Sequence, residues 1–84
     1  MITLTKQLEV VSENIPSAQQ QLEINSFIVG MMKDDETNGV VVLAENILKI
    51  DLLNDAAVAK LEDYLVSSYP DFDQPIPTFI VTDI

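Results

Sequence analysis

Hydrophobic positions change their spacing several times along the chain, and each change marks an element. Leu4, Leu8, Val11 and Ile15 recur at intervals of four, three and four, a helical stripe. Thr3 is placed to cap such a helix and Pro16 to stop it, so the spacing predicts a helix over 3–14. A strand over 2–11 is the alternative, because Val10 and Val11 are β-branched. Residues 17–33 also read two ways. Ser17-Ala18-Gln19-Gln20 has the form of a capping box, with Ile24, Phe27, Ile28 and Met31 able to share one helix face. Against that, Ile24 to Val29 is rich in strand formers and Gly30 is unfavourable inside a helix. A polar stretch, Asp34 to Gly39, then leads into Val40-Val41-Val42-Leu43. That pattern favours a hairpin of strands 22–32 and 39–44.

Glu45-Asn46 is a turn into Ile47–Leu52, where Leu48, Ile50 and Leu52 alternate with Lys49 and Asp51, a third strand. Asn54 is placed to cap a helix over 54–69 that ends before Pro70. Its expected inward face is Leu53, Ala57, Leu61, Tyr64, Leu65 and Ser68; Asp55, Ala59, Glu62, Asp63 and Val66 point outward. Prolines at 70, 75 and 77 hold the next stretch extended, and Thr78–Thr82 reads as a last strand. The expected class is α+β, a small two-layer domain. It has an N-terminal helix, an antiparallel sheet of three to four strands, one amphipathic helix (54–69) and a C-terminal strand. Residues 1–84 form a single domain.

Composition narrows the chemistry. Four Lys against fourteen Asp and Glu give a net charge of −10, and Arg, His, Cys and Trp are absent. Without Cys there is neither a disulfide framework nor a thiolate metal site, which suits a reducing compartment. Without His the commonest general base is missing, and without Arg so is the bidentate phosphate clamp. The N-terminus shows no basic region followed by an apolar one, and no apolar run approaches a membrane span. The expected location is the cytoplasm, with no membrane partner.

The sharpest local pattern is Asp34-Asp35-Glu36-Thr37-Asn38-Gly39, with Val41 and Glu45 beyond it. On an EF-hand loop these residues fall at the positions of oxygen ligands, the turn glycine, the aliphatic eighth position and the distal carboxylate. Glu36 is longer than the usual third ligand, Lys33 adjoins the first, and Val40–Leu43 prefers an extended backbone. The pattern therefore reads as a solvated turn, with no metal expected. No serine has a catalytic partner at a suggestive spacing, and the two glycines make no phosphate loop. Neither enzymatic activity nor a cofactor is expected.

Charge remains. A −10 surface repels nucleic acid and anionic lipid, and its natural complement is a basic protein surface. Asp55 and Glu62 lie seven residues apart on one helix face, about 10 Å along the axis, a scale comparable to phosphate spacing in DNA. The candidate partner-binding residues are Asp34, Asp35, Glu36, Asp55, Glu62, Asp63, Asp71 and Asp73, with Tyr69 and Phe72 as apolar anchors. In size and charge the chain resembles the small acidic proteins by which phages and plasmids block host nucleases, and nuclease immunity proteins. That resemblance implies an inhibitor or nucleic-acid mimic bound to a basic nucleic-acid-handling protein. Self-association through a sheet edge, as in an assembly subunit or homodimer, is the alternative; a calcium-binding domain ranks behind it.

Overall fold

Residues assigned by spacing to an N-terminal helix form a strand instead. In the computed structural model, which describes residues 2–84 and all their side chains except those of Val42 and Leu43, the first element is β1 (Lys6–Val11). There follow α1 (Ala18–Lys33), β2 (Thr37–Ala44), β3 (Ile47–Leu52), α2 (Asp55–Asp71) and β4 (Thr78–Asp83). The class expected from the sequence stands: an α+β domain with one antiparallel sheet of four strands and two helices. Two placements do not. The N-terminal helix is absent, and 22–32 is the body of α1, so β2 pairs with β3 rather than with that segment.

The 4–3–4 spacing at the N-terminus is coincidental, and the period that matters is two. Leu8, Val10 and Ser12 point into the core while Gln7, Glu9 and Val11 face the other way. The alternation is hard to see because its inward ends are polar: Lys6 makes ion pairs and Ser12 makes hydrogen bonds. In α1 the capping signal was the correct one. The Ser17 hydroxyl accepts from the Gln20 N–H at 3.1 Å, and Gln20, Ile24, Ile28 and Met31 form the buried stripe. Gly30 lies on the exposed side with open space about its Cα, so its cost is the backbone entropy of about 1 kcal/mol and no packing defect.

The strand order is β2-β3-β1-β4. Leu8 of β1 sits opposite Ile50 on one side and Val81 on the other; Val10 sits opposite Leu48 and Phe79. Both helices cover the same sheet face, closing a core of Leu8, Val10, Ile50 and Leu52 against Leu61, Leu65 and the α1 stripe. This βαββαβ order is the split βαβ arrangement of ferredoxin-like domains, a scaffold that by itself carries no function. Asn54 caps α2 by accepting from the Ala57 N–H at 3.0 Å, as expected. The helix runs on to Asp71, past Pro70. A proline in the last turn removes only one helical hydrogen bond, so termination waits for the next residues. No helix of the described residues is long and apolar enough to cross a membrane.

Among the polar side chains buried in the core, Gln20 is the most enclosed. Gln20 is fully buried, and neither of its amide atoms has a hydrogen-bond partner. A buried polar group left unpaired costs about 1–3 kcal/mol. Gln20→Met keeps the length of the side chain and removes the polar atoms. It should raise the free energy of urea unfolding by roughly 1–3 kcal/mol, whereas a loss of stability would mean that the amide is in fact satisfied.

Candidate functional site

The ten residues singled out from the sequence fall into three places. Asp34, Asp35, Glu36 and Asp55 lie at the end of the domain where α1 finishes, β2 begins and α2 begins. Glu62 and Asp63 lie midway along α2, and Tyr69, Asp71, Phe72 and Asp73 lie at the opposite end.

The first group is the least available to a partner, because lysines stand among the acids. Lys60 contacts Glu36 at 2.7 Å and Asp34 at 3.6 Å. Lys6 joins Asp55 at 3.5 Å and also pairs with Asp83. Hydrogen bonding to Asp83 and to Glu36, respectively, raises the affinity of Lys6 and Lys60 for their protons. Asp35 has a local task too. Its φ of 57° ends α1 in a left-handed turn, with the Glu36 N–H donating to the Met31 carbonyl at 2.9 Å. The twelve-residue calcium pattern does not close into a loop. β2 occupies Thr37–Ala44 in extended form, so the residues that a calcium loop would gather are drawn out along a strand, with Asp34 before its start and Glu45 after its end. No group of three or more His, Cys, Asp or Glu among the described residues is placed to hold a metal ion.

The opposite end is built around Ser12. Its N–H donates to the Asn46 carbonyl at 2.9 Å, its carbonyl accepts from the Asn46 side chain at 3.0 Å, and its hydroxyl lies 2.8 Å from the Tyr69 hydroxyl. These bonds tie the end of β1, the β2–β3 turn and the last turns of α2 together. They thereby bring Glu13 and Glu45, which adjoin Ser12 and Asn46, to the end that already carries Asp71 and Asp73. Sequence reasoning did not single out Glu13, and took Glu45 only as the distal carboxylate of the calcium pattern. Their signal is their place at the turns beside β1 and β3, hidden by the helical reading of 3–14. Asp71, Asp73, Glu13 and Glu45 are all exposed. The lysines lie elsewhere: Lys6, Lys33 and Lys60 toward the other end, Lys49 in mid-sheet opposite Glu9.

The two proposed anchors fare differently. Tyr69 is 3% exposed and held by Ser12, so it supports the end from within and cannot serve as a surface anchor. Phe72 is half-buried at the α2 C-cap. Asp73, with φ 56°, makes the left-handed turn that stops α2, its N–H donating to the Pro70 carbonyl at 3.0 Å. Beside Ser12 and Tyr69 lies a cavity of about 100 Å³, also lined by Ile24, Asn46 and Leu48. Ligand pockets usually measure some 300–1,000 Å³, so this one suits a few waters rather than an organic substrate. No protein-family model and no curated protein matches the chain.

Burial pushes the Tyr69 phenol above its ordinary 10.0, with the Ser12 hydrogen bond opposing part of the rise. A raised folded value means that the neutral phenol stabilises the fold below pH 10.0, and that this stability is lost as pH climbs through the folded value. Tyr69→Phe removes the ionisation and also leaves the Ser12 hydroxyl without its partner. Near neutral pH it should cost about 1–3 kcal/mol. Above pH 10.0 the melting temperature of the variant should fall less steeply than that of the parent. Parallel alkaline declines would show that Tyr69 does not titrate with unfolding.

Proposed function

We propose that the chain is a non-catalytic protein-binding module that inhibits a basic, nucleic-acid-handling protein by occupying its nucleic-acid site. The surface that engages the partner is the lysine-free end: Asp71, Asp73, Glu13 and Glu45, with Phe72 among them. One observation carries this reading. The fold places three of its four lysines among the acids at one end, keeps Lys49 in mid-sheet opposite Glu9, and leaves the acids of the other end without a lysine. Uncompensated charge gathered at one end makes a directional field that steers a basic surface toward it. The half-buried Phe72 ring offers an apolar contact beside those charges, the kind of group that holds a complex once it is steered.

Proteins retained from native host lysate at low salt should be basic and nucleic-acid-binding, and several-hundred-millimolar salt should release them as the charges are screened. With such a partner in hand, Glu13→Lys combined with Asp71→Lys should slow association about tenfold or more. Asp34→Lys, at the lysine-bearing end, should change it little. Association kinetics measured by surface plasmon resonance separate these outcomes. Equal effects at both ends, or binding indifferent to salt, would remove the basis for this reading.

A further inference from the structure

We propose that β4 is a dimerisation strand, through which two copies of the chain join edge to edge about a twofold axis at Ile80. This inference is independent of the charge-based reading above, because it rests on the sheet edge alone. The two edges of the sheet differ. β2 departs from regular register twice, between Thr37 and Val40 and between Val42 and Ala44, and such irregularities spoil an edge for further pairing. β4 pairs with β1 in unbroken register from Thr78 to Asp83. Within those residues there is no lysine and no proline, the devices that commonly block an edge.

The free edge offers a defined set of groups. The Ile84 N–H donates to the Thr5 carbonyl at 3.0 Å, which fixes the alternation: backbone groups of even-numbered residues turn toward β1. Those of Phe79, Val81 and Asp83 turn outward. Ile80 on the open face is 45% exposed, and Val81 on the helix face is 44% exposed. Opposed residues of an antiparallel pair share a face, so two identical strands must place some residue opposite itself. With Ile80 opposite Ile80, Phe79 falls opposite Val81 and Thr78 opposite Thr82. Each Phe79–Val81 pair then exchanges both backbone hydrogen bonds, and the exposed apolar side chains cover one another. Centring on Val81 would set Phe79 against the Asp83 carboxylate, an apolar group against a charge.

Charge permits the approach here. Each copy carries −10, so most of its surface repels a second copy. In β4 the sole ionisable side chain is Asp83, which is paired with Lys6. The occupant that fits this edge is therefore the same strand of another molecule.

Sedimentation equilibrium of the full chain should give the mass of a dimer. Ile80→Lys and Ile80→Glu each place like charges face to face on the axis and should each give a monomer with an unchanged circular dichroism spectrum. An equimolar mixture of the two should return to dimer mass, since the opposed charges now attract; this rescue excludes misfolding as the cause of dissociation. Hydrogen exchange should show the Val81 amide protected in the parent and exchanging freely in either variant. A monomeric parent, a dimer that survives both substitutions, or a Val81 amide exchanging freely in the parent would each overturn the proposal.

Discussion

β1 holds two otherwise separate pieces in one sheet. β2 and β3 form a local hairpin across a short turn, whereas β4 reaches the sheet only through β1. The pairing of Lys6 with Asp83 spans nearly the whole chain, so the β1–β4 ladder carries the largest loop-closure entropy in the fold. What offsets it is burial at the centre of the sheet. Leu8 is fully buried and Val10 nearly so, each flanked by strands on both sides and roofed by helices. A large aliphatic side chain buried in this way contributes about 1.5–3 kcal/mol. A chain of 84 residues has few such positions to spend on holding its ends together.

That dependence explains which parts of the fold were legible in the sequence. α2 was legible because its cap and its apolar stripe agree, and Asn54, Ala57, Leu61 and Leu65 take their expected places; only its end, two residues beyond the expected stop before Pro70, was not. β3 and β4 were legible because their side chains alternate or their β-branched residues cluster. β1 was not, because the inward positions at its start and just past its end, Lys6 and Ser12, are polar for reasons that only the tertiary structure supplies. Lys6 points inward to reach Asp55 and Asp83, and Ser12 points inward to reach Tyr69. α1 was misread for a related reason. Leu22, Val29 and Met32 are exposed, so its apolar residues do not confine themselves to one face. Ile24 and Ile28 look like strand residues yet sit on the buried stripe. The candidate site suffered from both errors, since the positions of Glu13 and Glu45 follow from β1 being a strand.

The same topology sorts the charges. Alternating the directions of four strands brings the starts of β1, β2 and α2 to one end with the finish of β4, and three of the four lysines go with them. Exposed ion pairs of this kind contribute little each. Their arrangement matters more than their strength. It leaves the other end to be held by neutral hydrogen bonds around Ser12, which neither weaken with salt nor compete with a charged partner.

The core follows a similar gradient. Toward the lysine-bearing end it is filled by Met31, Leu52, Ala57 and Val58, with one buried polar residue, Thr37, whose hydroxyl is satisfied by the Asp51 carbonyl; toward the Ser12 end it meets Gln20, Ser68 and Tyr69. Gln20 and Ser68 both bury polar atoms without partners, on facing helices at the same end of the layer. Two unpaired groups together weigh against a stability that for small domains is only some 5–15 kcal/mol. Natural sequences accept such local conflicts mainly where something other than stability is being served. In this domain the poorly satisfied part of the core lies at the same end as the acids that have no lysine. The side chains that weigh against stability are thus grouped at the end of the molecule whose acids have no lysine among them.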